Sequence, residues 1–366
     1  MQTKVGFVLS SSANDPLPST RIAVLNLLPL LRDSGFDTRI VFEPSQPSNI
    51  PDLSGLGPRL IAEGFHVVCF QKVFGPSVTA LVRELSAAGI KTVSMVCDVV
   101  ELEMATATHA TVVVTDYLRS LYPQDLQPKM HVVHDGIEHP EYCKADWGDG
   151  AKAKGSKLRA VLVTSSKLTR LPVLRSPPSW LEVVIVGDYP ENTNGLQRLR
   201  WMWWDSDGKS RWTDLWASLP FLRSKRIGVV PWHPVHVYHE MLKADVGIIP
   251  IETPRYPSAT EPPAWRLKSE NRLTMKMGIG LPVVATPIPS YERVIDHGRN
   301  GFLASTRGDW LQYLDALRDP LVRRDIGQSA RAAVAERYSL GEQARRFIQV
   351  LQSLLVDAPH GARTAG

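Results

Sequence analysis

Cysteine is scarce: three residues in 366, Cys69, Cys97 and Cys143. Three widely spaced thiols cannot build the disulfide framework that staples a small secreted fold. Cys69 and Cys97 lie in apolar, strand-like runs, where cysteine acts as a small core residue. No apolar stretch is long enough to span a bilayer. The start, "MQTKVGFVLSSSAND", holds too short an apolar run for a secretory leader. These absences set the expectation of a cytoplasmic protein. Low-complexity tracts, zinc-type Cys/His spacings and a dense basic stripe are missing too, so nucleic acid is not an expected partner. The formal charge of +5 is a mild excess. It suits an anionic ligand, a membrane surface, or plain solubility.

What the chain does have is alternation. With 43% hydrophobic and 22% charged residues, its length supplies material for two cores. "KVGFVLSSS", "DTRIVFE", "HVVCFQKV", "GIKTVSMVCD", "ATVVVTD" and "MHVVHDG" read as short strands rich in Val and Ile. Helical patterns lie between several of them, such as "RIAVLNLLPLLRDSG", with Gly35 as its stop, and "SVTALVRELSAAG". Strands alternating with helices predict a parallel sheet covered on both faces.

The stretch "VVHDGIEHPEYCKADWGDGAKAKGSK" is polar, with several Gly and Lys, and reads as a linker. The alternation then restarts with "LRAVLVTSS", "LEVVIVGD", "RIGVVPW", "ADVGIIPI", "LPVVATP" and "GFLAS". The last long pattern, "LVRRDIGQSARAAVAERYSLGEQARRFIQVLQSLL", reads as helical throughout, before a loose tail. The expected fold class is α/β, with two Rossmann-like, doubly wound parallel-sheet domains. The first covers 1–150, the second 151–335, and 336–366 forms a C-terminal helix, free to pack back on the first domain, plus the tail. Open α/β sheets bind ligands outside the carboxyl edges of their strands, so two in tandem predict a binding cleft.

One segment points to an anion. In "KSENRLTMKMGIGLPVVATPIPSYERVI", Ser269 or Asn271 can cap a helix, and Lys268 sets a positive charge beside its free N–H groups. Leu273 and Met277 stand at i, i+4 and should face the core. Gly280 fits a left-handed stop, and Pro282 forbids continuation. A helix start at a sheet edge suits a phosphate. The bland alternative is a surface lysine beside an ordinary cap.

This segment, extended to Leu303, resembles the donor-binding segment of GT-B glycosyltransferases of the group 1, or GT4-like, kind. The matching features are Gly280, Pro282 to Thr286, Glu292, and Gly298 to Leu303. "LEVVIVGD", "VYHEMLKADVGIIPI", "MHVVHDGIE" with Asp135 in place of an Asn, "DPLPSTRI" and "GIKTVSMVCDVVE" extend the likeness over most of the chain. The resemblance implies a GT-B architecture, its two domains facing a central cleft. It implies retaining transfer of a sugar from a nucleotide diphospho-sugar to a small-molecule or glycan acceptor. No cofactor and no metal would be needed, because cations and helix N–H groups would stabilise the leaving diphosphate. A peripheral membrane contact is compatible with this role but not required.

The residues this places are specific. Lys268, Ser269, Asn271 and Arg272 would hold the diphosphate, with Lys167 and Arg170 of "VTSSKLTRLPVL" as further contacts. Glu292, Ser290 and Glu270 would lie near the donor's sugar or nucleotide. Asp98, Arg21 and Ser19 would shape the reaction centre, with Gln71 and Lys72 along the same edge. Each has a structural alternative: exposed loop charges for Lys167 and Arg170, a salt bridge for Arg21, and a helix cap for Asp98. His134 and Asp135 fit a structural role at the hinge.

The chain also departs from the family. Its acidic E-x7-E pair falls on Leu267 and Met275, which cannot accept hydrogen bonds as carboxylates do. Glu270 or Glu261 is the candidate replacement. The missing pair leaves two other readings open: a nucleotide-sugar epimerase of the same form, or a catalytically silent binding subunit. The tryptophans Trp201, Trp203, Trp204, Trp212 and Trp216 divide between core packing and a stacking surface. His233, His236 and His239 lack partners for a zinc site and read as solvent-facing.

Overall fold

The computed structural model describes residues 2–147, 157–164, 173, 177–187, 226–251 and 262–356. The chain divides into two units by packing. Unit 1 comprises Met1–Glu138, Leu267–Ser269 and Tyr338–Gly366, and unit 2 comprises His139–Arg266 and Glu270–Arg337. The first division thus falls after Glu138, against 150/151 in the sequence reading, and the C-terminal one after Arg337, against 335/336.

Unit 1 holds a six-stranded sheet of β1 (Thr3–Val8), β2 (Phe36–Phe42), β3 (Val67–Gln71), β4 (Lys91–Val96), β5 (Ala110–Val113) and β6 (Met130–Val132). All neighbours pair in parallel, in the order β2-β1-β3-β4-β5-β6. Its helices are α1 (Leu28–Asp33), α2 (Leu56–Ala62), α3 (Pro76–Ala87), α4 (Leu102–Ala107) and α5 (Asp116–Ser120). The central strands are apolar at consecutive positions because both faces are covered. On β3, Val67 and Cys69 join a core with Leu28 and Leu31 of α1. Val68 and Phe70 join the opposite one, with Val78, Leu81 and Leu85 of α3.

The single helix expected over "RIAVLNLLPLLRDSG" is instead two pieces, a wider π-type turn at Arg21–Leu25 and α1, preceded by a short helical turn at Pro18–Thr20. Pro29 offers no N–H for a continuing ladder and sits in the first turn of α1, where none is needed.

Unit 2 holds β7 (Leu158–Val163), β8 (Leu181–Gly187), β9 (Ile227–Pro231), β10 (Val246–Ile249), β11 (Val283–Ala285) and β12 (Phe302–Leu303), parallel in the order β12-β11-β10-β7-β8-β9. Its described α-helices are α6 (His236–Lys243), α7 (Asn271–Gly278), α8 (Pro289–Glu292), α9 (Arg307–Ala316) and α10 (Pro320–Ala335). The C-terminal pattern, expected as one helix, breaks after α10 and resumes as α11 (Leu340–Val356). The break has a cause in unit 1. There Tyr338 is buried, its carbonyl accepts from Ile137 N at 2.8 Å, and Ser339 bridges to Ile137. α11 then packs Phe347 and Leu351 into the α1 face of the unit 1 sheet.

Each sheet reverses its strand order once, between β1 and β3 in unit 1 and between β7 and β10 in unit 2. Chain leaving the two strands at such a point turns in opposite directions and opens a crevice at the carboxyl edge.

Candidate functional site

In unit 1, the crevice at β1 and β3 is lined by polar groups. Gln71, the last residue of β3, accepts at Oε1 from Ser10 N at 3.2 Å, Ser10 Oγ at 3.0 Å and Thr20 Oγ1 at 3.0 Å. Ser11 Oγ donates to Thr20 Oγ1 at 2.8 Å and accepts from Leu17 N at 3.0 Å. The loop after β1 is thereby tied to the end of β3.

Lys72 follows in a left-handed conformation, φ +54°, which side-chain-bearing residues rarely adopt. Its Nζ lies 2.9 Å from Asp98, beyond the end of β4. Burial alone would depress the Lys72 pKa. The paired Asp98 carboxylate outweighs it and sets the pKa above the ordinary lysine value. Cys97 Sγ donates to Asp98 Oδ1 at 3.3 Å. Burial, reinforced by Asp98, pushes the Cys97 thiol up, so it stays protonated at neutral pH. Asp98 keeps 48% of its side chain exposed.

Arg21 takes the salt-bridge alternative. Its guanidinium meets Glu138 in two bonds, at 2.7 and 3.0 Å, and Asn26 Nδ2 donates to the same carboxylate at 2.9 Å. Ser19 is half-buried on the adjoining turn. His134 is buried against Tyr338, with Nδ1 2.9 Å from the Val114 carbonyl, and fits the structural role expected of it. Asp135 is buried and accepts from Ser269 Oγ at 2.7 Å. Ser269 therefore does not cap α7, and neither does Asn271. The N-cap position is Glu270, with helical backbone angles and no side-chain cap bond. Lys268, partly buried, directly precedes Ser269.

In unit 2, α7 starts on the chain that follows β10 and ends just before β11, on one side of the β7/β10 crevice. Leu273 and Met277 are fully buried, as the spacing predicts. Ile279 caps the helix, and Gly280 follows at φ +82°. Asn271 and Arg272 are partly buried in the first turn, where backbone N–H groups lack helical partners. Glu270 is buried, and its charge and that of Arg272 act on the Tyr291 hydroxyl. Burial raises the Tyr291 pKa well above the ordinary tyrosine value. Ser290 on α8 is buried and Glu292 is exposed.

Leu267 is buried in the unit 1 core, and Met275 packs beside Ile279 and Leu281 in unit 2. Both E-x7-E positions therefore serve packing. Lys167, Arg170, Glu261 and the five tryptophans lie outside the described residues. His233 and His236 rings stand 4.4 Å apart on the approach to α6. The described residues include no cluster of His, Cys, Asp or Glu able to hold a metal ion. Among them, no helix is long and apolar enough to cross a membrane.

Two features escaped the sequence reading. The Ser10–Ser11–Thr20–Gln71 network joins residues up to 61 positions apart, and only the strand order brings them together. Lys276 on α7 is fully buried, with Nζ donating to the Arg272 carbonyl at 3.0 Å. Its place three residues after Leu273, on the apolar stripe, was a readable signal.

No known family profile matches the chain, and no curated protein matches it in sequence. Solved structures match it in fold. A glycosyltransferase from Rickettsia africae aligns with a TM-score of 0.68 at 12% identity, over 97% of this chain and 99% of that one. Sucrose-phosphate synthase from Thermosynechococcus elongatus aligns with a TM-score of 0.64 at 12% identity, over 97% and 100%. HepE from Anabaena, solved with UDP and glucose, aligns with a TM-score of 0.62 at 12% identity, over 96% and 100%. The chain has the two-domain α/β fold of GT-B glycosyltransferases.

Proposed function

We propose that the chain is a glycosyltransferase that moves a sugar from a nucleotide diphospho-sugar to a hydroxyl-bearing acceptor. The observation that carries this reading is the start of α7. The helix starts there without a side-chain cap bond, beside the strand-order reversal of unit 2, with Asn271 and Arg272 in the first turn and Lys268 and Ser269 directly before it. First-turn N–H groups, the helix dipole and nearby cations together favour a diphosphate. A uridine nucleotide is the preferred donor, since HepE is a structural neighbour solved with UDP-glucose.

In the reaction, the bond from the sugar's anomeric carbon to the phosphate oxygen breaks and a bond to the acceptor oxygen forms. The acceptor's proton leaves to Asp98 or to the departing diphosphate. The cations at α7 stabilise the charge that develops on that diphosphate, so no metal ion is required. Retention of configuration, a cytoplasmic location and donor contacts from Glu270, Ser290 and Glu292 complete the proposal.

Lys268→Ala should weaken UDP binding about tenfold or more, the equivalent of roughly 1.4 kcal/mol. The ligand-induced rise in melting temperature reads this out. Unchanged affinity would remove Lys268 from the site. The apolar Leu267 and Met275 favour one second reading, a silent binding subunit. It predicts that UDP-glucose binds but releases no UDP with any acceptor.

A further inference from the structure

The linker that leads into unit 2 walls one side of a cavity of about 410 Å³, within the size range of small-molecule sites. Cys143 to Asp146 form that wall. Leu242 and Lys243 at the end of α6, Asp245 and Arg323 of α10 complete the lining. All of these residues belong to unit 2. The cavity lies at the amino edge of the sheet, because Asp245 leads directly into β10. Lys144 N donates at 2.7 Å to the carbonyl of Ile279, the residue that caps the C-terminal end of α7. The cavity is therefore separate from the start of α7 and from the proposed donor site.

Lys144 is the cation of this lining whose bonding is incomplete. It is only 6% exposed. Its Nζ donates once, to the Leu242 carbonyl at 3.0 Å, and its other two N–H groups meet no acceptor among the described residues. Burial lowers its pKa, and the charges of Asp245, Asp146 and Arg323 act on it too, which sets Nζ amid the lining groups. The other two cations are committed. Lys243 pairs with Glu240 at 2.7 Å. Arg323 donates to the carbonyls of Trp147, Leu317 and Arg318 and stands 3.8 Å from Asp245. A buried ammonium with donors to spare favours an incoming acceptor, above all a charged one. Three cations against two carboxylates leave the lining one positive charge in excess. A monoanion balances that charge, whereas a phosphate dianion overshoots it.

We propose that this cavity is a binding site for a small organic carboxylate, held by the Lys144 ammonium. The inference does not depend on the transferase reading.

Cys143 supplies the readout, since its thiol is exposed and the residue lines the same cavity. Iodoacetate and iodoacetamide both alkylate a thiolate, sulfur displacing iodide, but only iodoacetate carries a carboxylate. Alkylation of Cys143 in the full chain is followed by peptide mass spectrometry. The ratio of the iodoacetate rate to the iodoacetamide rate should exceed that of a free cysteine peptide about tenfold, and the iodoacetate rate should saturate. Lys144→Met, which keeps an unbranched side chain, should bring the ratio down to the peptide value. In a second arm, acetate should slow the reaction of Cys143 with iodoacetamide, and sodium chloride of equal ionic strength should not. A ratio no higher than the peptide's overturns the proposal, as does a Lys144→Met variant that keeps the parent's ratio. Phosphate that protects Cys143 better than acetate does so too. If the variant fails to fold, the acetate arm on the parent protein decides, and protection no greater than that from chloride overturns the proposal.

Discussion

Lys276 is a cation placed where its helix needs an apolar side chain. Its stem lies against Gly247 of β10, where an added Cβ would meet Lys276 Cδ at 2.6 Å. Burial, and secondarily the Arg272 charge, lower its pKa to about 7. A lysine depressed in the folded state binds fewer protons there than in the unfolded chain between pH 7 and its ordinary value of 10.5. Stability should therefore rise with pH across that window, by up to about 1.4 kcal/mol per unit from this group. Lys276→Met keeps the length and removes the charge. It should raise the melting temperature, and by more at pH 7 than at pH 9. An equal gain at both values would show that the ammonium is not desolvated. Residue-scale facts of this kind were legible only in part. Leu273, Met277 and Gly280 followed from helical spacing and from the need for a left-handed stop. The Arg21–Glu138 pair did not, because its members lie 117 residues apart and only the fold joins them.

At the scale of elements, the turn that ends α7 meets α10 where glycine faces glycine. A Cβ on Gly327 would run into the Gly280 carbonyl and stand 2.6 Å from Trp147 Nε1, which itself donates to that carbonyl at 3.1 Å. Backbone on one side and a bonded indole on the other leave nothing flexible to give way. Gly327→Ala should cost at least the roughly 1–3 kcal/mol typical of overpacking, read as a loss of denaturant midpoint with an unchanged slope. A wild-type midpoint would mean that Gly327 does not meet the Gly280 carbonyl. The strands themselves were readable because a strand covered on both faces must be apolar at every position. The helix breaks were less so. Pro29 announced the first, but the second depends on Tyr338 and Ser339 joining the chain after β6, a pairing of positions about 200 residues apart that no local pattern encodes.

For the whole molecule, alternation of strands and helices gave two parallel-sheet units, because only that arrangement covers such strands. It could not give the order of the strands. The order places the reversals at β1/β3 and β7/β10, and so decides which loops border the crevices. The segment proposed to hold the donor was picked out another way, through a resemblance carried by Gly280 to Leu303. The most direct test of the account is a crystal structure of the full chain with UDP bound. The diphosphate should lie against the start of α7, within hydrogen-bonding reach of the Asn271 and Arg272 backbone N–H groups and of Lys268. A diphosphate bound anywhere else on the molecule would contradict it.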